Sequence, residues 1–214
     1  MTALETDWTE EAEARLLAAA IPLAPELGWT SRLVARAGAA AGLRPGEAML
    51  VAPNGARDLA ALFARRHDQA ALAALVGVEP GALKVRARIA RAVEAWLEAA
   101  TADGEATRRW AGYLALPQNA PLAMRLVWST ADHLWRWAGD RSTDENHYSK
   151  RAILASILVS TLAIRLNGGA DAARAHLAAQ IDRVMAYERW KAKVRAGDLA
   201  RDLATALGRL RYGR

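Results

Sequence analysis

The sequence predicts an all-α protein, and three observations carry that prediction. More than half of the residues are apolar (53%), and Ala and Leu, both strong helix formers, dominate them. Runs of Val, Ile and Thr that would build strands are few. Apolar residues recur at helical spacing over most of the chain, between stretches that carry helix caps and stops. A chain of 214 residues holds one large domain or two small ones with a real core.

The elements follow in order. Thr9 reads as an N-cap with Glu10 and Glu11 in the first turn, opening a helix that runs to about Leu23 and stops at Pro22 and Pro25. Thr30 caps a second helix that Gly42 ends. A short piece, "RPGEAMLVAP", leads to the turn Asn54-Gly55, and a longer helix then carries Leu59, Leu62 and Phe63 on one stripe. Three short helices before a longer one, with "AGLRPGEA" as the turn between the second and third, suggest a helix-turn-helix head over residues 1–75. A plain three-helix subdomain fits the same pattern.

From Lys84 the helices lengthen. Val85, Ile89, Val93, Trp96 and Leu97 form one stripe. "EATRRWAGYLAL" ends at Pro117, and Met124, Trp128, Ala131 and Trp135 follow at i, i+4, i+7 and i+11. Ser142 and Glu145 form a capping box at the start of the next helix, with Thr143 as a second candidate cap. Lys150 and Arg151 are expected to face solvent. "NGGA" closes that helix, another runs from Asp171 to about Lys193, and Gly197 sets off a last segment. Residues 76–194 are thus expected to form a helical body and 195–214 a terminal helix.

The charge is unevenly placed. Residues 191–214 hold seven basic and two acidic side chains out of a total net charge of +6, so the body is nearly neutral. On a helix Leu199, Leu203, Leu207 and Leu210 share an arc of roughly 100°, with Arg201 and Arg209 on the polar remainder. Such a segment predicts a helix lying in a membrane interface. The uncharged run from Ala152 to Ile164 looks too short to span a bilayer. The acidic N-terminus reads as neither a secretory signal nor a transit peptide, which predicts a bacterial cytoplasmic location.

Catalytic chemistry is not legible. There is no cysteine, and His67, His133, His147 and His176 are far apart. Asp144 and His147 stand at i, i+3, which is at most half a metal site, and a solvated helix start explains them better. No phosphate loop or nucleophile elbow is present, so no catalytic residue, metal or cofactor is assigned. Nucleic acid also fits poorly as a partner: the candidate recognition helix carries Arg44 and Glu47 but otherwise Ala, Met, Leu and Val, where a phosphate-lined groove needs polar donors. Trp110, Trp128, Trp135 and Trp137 crowd one region, which suggests either core or a pocket.

One stretch goes further. Leu116-Pro117-Gln118-Asn119, Trp128, Asp132 and Trp135, then Gly139-Asp140-x-Ser142-Thr143-Asp144-x-Asn146-x-Tyr148, Lys150-Arg151 and Ser160-Thr161 resemble the ubiquinone-biosynthesis accessory proteins that stand ninth in the Coq series. The resemblance is tightest from about 116 to 166. It implies a TetR-like fold, usually dimeric, with a helix-turn-helix head on a helical ligand-binding body; that the head does not bind DNA is read from its composition. It further implies a non-enzymatic protein that binds an isoprenoid quinone or another lipid, here in a pocket with Met124, Trp128, Trp135 and Leu158. Asp144, Asn146, His147 and Tyr148 would face a di-iron demethoxyubiquinone hydroxylase, with His147 standing where eukaryotic members have Trp. The terminal helix would be a peripheral contact with the bacterial inner membrane. The alternative is a TetR-type transcription regulator that binds DNA and a small hydrophobic ligand.

Overall fold

The computed structural model describes the backbone of residues 3–140 and 145–212, and side chains within 8–140 and 147–187. Every regular element in these residues is helical. The helices are α1 (Ala3–Ala20), α2 (Ala24–Leu27), α3 (Ser31–Ala40), α4 (Pro45–Val51), α5 (Ala56–Ala74), α6 (Val85–Thr101), α7 (Gly104–Leu114), α8 (Ala120–Trp137) and α9 (Glu145–Tyr212).

The head is α1 to α5. Thr9 does not start α1; it lies inside a helix that begins at Ala3 and gives way to a 3₁₀ turn at Ile21–Leu23 and the short α2. The prolines set those breaks, because each removes a backbone donor. Thr30 does cap α3: its hydroxyl accepts from Leu33 N at 3.3 Å. Gly42, at φ +69°, ends α3, with Leu43 N donating to Gly38 O at 2.9 Å. Pro45 opens α4 at a position that needs no donor, and Glu47 accepts from the backbone N of Arg44 at 2.8 Å. A Cβ on Gly38 would stand 3.2 Å from that of Ala48, so α3 and α4 cross at glycine contact distance.

The core joins head and body without a gap. Leu16, Leu33, Leu59 and Phe63 are fully buried in the head, and Val93, Leu134, Leu154 and Leu158 in the body. α5 packs mainly on α6, and α8 on α9. Ile89, Val93, Trp96 and Leu97 are buried as their stripe predicts, but Val85 at the helix start is half-exposed.

α9 differs from expectation in two ways. Its non-helical residue is Gly169 (φ +82°), so the predicted break at "NGGA" is a kink within the helix. Gly197 makes no break, and the backbone stays helical to Tyr212. Over 147–187, α9 is long and apolar enough by length and composition to cross a bilayer, more than the run from Ala152 to Ile164 suggests. A third of that apolar window is buried within the protein, including Leu154, Leu158 and Leu162.

Candidate functional site

The α8–α9 junction is built from the motif residues. Gly139, at φ +88°, closes α8: Asp140 N donates to Trp135 O at 3.0 Å and Gly139 N to Arg136 O at 3.0 Å. That turn delivers the Asp140 carboxylate to Lys150 Nζ (2.6 Å) and Arg151 (3.0 Å). Arg151 does not face solvent. It is 1% exposed, and its Nε also meets Asp132 at 2.6 Å while a terminal nitrogen donates to His147 O at 3.2 Å. Lys150 is likewise held, 5.5 Å over the Trp135 ring, whose Nε1 donates to Lys150 O at 3.0 Å. Burial alone would push the Asp132 carboxyl up, but the Arg151 guanidinium, with Arg136 beside it, holds it below its ordinary value.

This junction sets the first turns of α9 against the outer face of α8. Tyr148 is 64% exposed, and its ring centroid lies 6.2 Å from Trp128 and 5.2 Å from His147. Met124, 63% exposed, is one turn before Trp128 on α8. Trp128, His147 and Tyr148 therefore form an aromatic surface carried on a rigid ionic base. Asp144 lies outside the described residues, and so does the side chain of Asn146. Ser142 and Thr143, and the side chain of Glu145, lie outside them as well, as do the side chains of Leu199, Arg201, Leu203, Leu207, Arg209 and Leu210.

The opposite face of α8 lines a cavity of about 300 Å³ enclosed with α5, α6, α7 and α9. Trp96, Trp110, Leu114, Leu126, Val127 and Leu162 supply most of its bulk. Its polar hydrogens are already engaged. Trp110 Nε1 donates to Ala60 O at 3.0 Å, and Trp96 Nε1 (3.2 Å) and Thr130 Oγ1 (2.8 Å) both donate to Asp68. Asp68 is buried behind that wall and meets His133 Nδ1 at 3.0 Å from its other oxygen. Burial pushes its carboxyl up, against the pull of Thr130, His133 and Trp96. Among the described residues, no charged side chain lines the cavity. Such a surface offers hydrocarbon contact and no hydrogen bond, so it selects apolar groups.

The four residues expected to line one pocket are not brought together. Leu158 is fully buried in the core, Met124 and Trp128 are on the aromatic surface, and Trp135 lines a separate cleft of about 260 Å³ between α6 and α9. Trp110 alone of the crowded tryptophans reaches the cavity. The missed residues had a faint signal: Ala123, Leu126, Val127 and Thr130 form a second helical stripe on α8. Among the described residues, no group of three or more His, Cys, Asp or Glu could hold a metal ion.

Fold and site define a class: an all-α protein whose helices line an apolar cavity beside an exposed aromatic surface. Comparison with known proteins narrows the class. The COQ9 family model matches residues 120–188, which are α8, the junction and α9 past its kink. The chain is 31% identical over 160 residues to the ubiquinone biosynthesis protein COQ9, mitochondrial, of Rattus norvegicus, covering 71% of this chain and 51% of the relative. Against the Homo sapiens protein of the same name it is 31% identical over 159 residues, 71% and 50% of the two chains. Against COQ9-B of Xenopus laevis it is 27% identical over 169 residues, 73% and 56%. The chain belongs to the COQ9 family. It spans about half the length of the curated relatives it matches.

Proposed function

We propose that this protein serves ubiquinone biosynthesis as a non-enzymatic accessory that binds an isoprenoid quinone intermediate and presents it to the demethoxyubiquinone hydroxylase. The observation that carries this reading is the cavity. Every polar hydrogen on its wall is engaged elsewhere, so it receives hydrocarbon in preference to water. At about 300 Å³ it is at the small end of ligand cavities, so it holds one end of a long lipid and leaves the rest outside. The relatives' names supply the pathway.

The hydroxylase would meet the aromatic surface of Trp128, His147 and Tyr148, and Asp144 and Asn146 are proposed as further contacts. Large aromatics anchor protein interfaces well, because they bury much area for few rotatable bonds. The protein would act as a homodimer, peripheral on the bacterial inner membrane, with residues 195–214 as its membrane contact. The gain is positional: a very apolar substrate leaves the bilayer without meeting water. A transcription regulator is the weaker reading, since Met49 and Leu50 stand where a DNA reader needs polar side chains.

The test is extraction of lipid from purified full-length protein, followed by mass spectrometry. An isoprenoid quinone, depleted when Ala163→Phe fills the cavity mouth, is the expected result. Absence of any isoprenoid from protein purified out of quinone-producing cells overturns the reading.

A further inference from the structure

We propose that the exposed α3–α4 face of the head is a contact surface for an anionic membrane. Two adjacent apolar side chains on α4, Met49 and Leu50, are 72% and 74% exposed. Met49 borders a groove of about 460 Å³ between α3 and α4 whose lining also includes Val34, Ala35, Leu43 and Pro53. Exposed cations surround this tip: Arg32 and Arg36 on α3, Arg44 before α4 and Arg57 at the start of α5. Residues 28–57 contain those four arginines and a single acid, Glu47. Glu47 is engaged by Arg44, through the backbone N at 2.8 Å and the guanidinium Nε at 2.9 Å. In sequence the next acids are Glu26 on α2 and Asp58 on α5, and Asp58 accepts from Asn54 N at 2.6 Å; α1, which packs on α3 and α4, adds Arg15 beside Glu47, paired with Glu11 at 4.0 Å. The face is therefore apolar at its tip and cationic around it.

Three occupants could cover such a face, and its chemistry separates them. A DNA groove offers phosphates to the arginines but nothing to Met49 and Leu50. A second copy docked through the same patch would cover the apolar tip but set arginines against arginines. A lipid surface satisfies both, with anionic headgroups for the arginines and the acyl boundary for Met49 and Leu50. The inference does not rest on the quinone reading, and it concerns a contact remote in sequence from residues 195–214.

Because the chain has no cysteine, Leu50→Cys in the full-length protein takes a single polarity-sensitive dye. On vesicles of phosphatidylcholine mixed with phosphatidylglycerol, the dye is expected to shift to the blue and to be quenched by a lipid-borne quencher. Arg32→Gln with Arg36→Gln should weaken that response about twenty-five-fold, roughly fivefold per arginine. Met49→Cys carrying the same dye repeats the measurement if the first label perturbs the fold. Four outcomes overturn the proposal. The dye stays aqueous while the protein floats with the vesicles; phosphatidylcholine alone gives the same response; the shift grows with protein concentration without vesicles; or duplex DNA produces it instead.

Discussion

Two polar clusters lie within the helical body, and they are built on opposite principles. At the α8–α9 junction one buried guanidinium is shared by two carboxylates, Asp132 and Asp140, with Lys150 on the second. Beside the cavity one carboxylate, Asp68, is met by a hydroxyl, an indole and an imidazole. The first balances charge with charge and holds two helices at a fixed angle. The second sets one carboxylate against two donors and an imidazole and turns the polar groups of the cavity wall away from the cavity. Rigidity under an exposed surface calls for full ion pairing, because a half-paired buried charge is costly. An apolar cavity needs its polar wall atoms turned away from the ligand.

The sharpest way to break the contrast is to remove the guanidinium. Arg151→Met strips one partner from each of two partly buried carboxylates, leaving Asp132 with Arg136 (2.7 Å) and Asp140 with Lys150 (2.6 Å), and should destabilise the protein by about 3 kcal/mol in urea unfolding. Adding Asp132→Asn and Asp140→Asn should recover most of that. If the single substitution costs under about 1 kcal/mol, the junction is not held by charge.

A third buried group sharpens the comparison by lacking partners. Neither ring nitrogen of His67 has a hydrogen-bond partner, and the ring packs edge-on to Phe63 (4.1 Å) and Trp110 (5.6 Å). Burial, with Arg66 nearby, lowers its pKa to about 4. Its folded value is below the unfolded value of 6.5, so the unfolded chain binds more protons between them. Stability should fall by about 3 kcal/mol as pH drops from 6.5 to 4. His67→Leu should flatten that slope; an unchanged slope would assign it to other groups.

Asp68→Asn should cost less, about 1–2 kcal/mol, since the amide oxygen still accepts from Trp96 and Thr130, while the charge and the acceptor facing His133 Nδ1 are lost. A loss near that of Arg151→Met would make the two clusters energetically alike. The smallest effect on stability belongs to Tyr148→Ala, at under about 0.5 kcal/mol, because the side chain is mostly in solvent. The same substitution should weaken pull-down of the hydroxylase, and unchanged pull-down would remove Tyr148 from the partner surface.

Much of the motif is legible in the sequence. The spacing Gly139-Asp140 … Lys150-Arg151 marks a turn and a helix start, but it reads naturally as a solvated one. Arg151 is buried because α8 supplies Asp132 from eight residues before Asp140, and a helical stripe does not reveal which neighbour it will meet. The cavity is harder still to read. α8 is apolar over a wide arc opposite Arg125, Ser129, Asp132 and Arg136, so the stripe of Met124, Trp128 and Trp135 and the stripe of Leu126, Val127 and Thr130 are equally plausible core faces.

By itself the sequence determined what depends on near neighbours: the helical class, the Thr30 cap, the Gly42 stop and an interruption at Gly169. These follow from backbone donors, side-chain caps and allowed φ, all settled within a few residues. Only the tertiary structure decided which face of α8 is dry, that Asp68 meets His133 across 65 residues, and that Arg151 turns inward. Those choices come from packing among helices distant in sequence, where burial and charge pairing outweigh local preference.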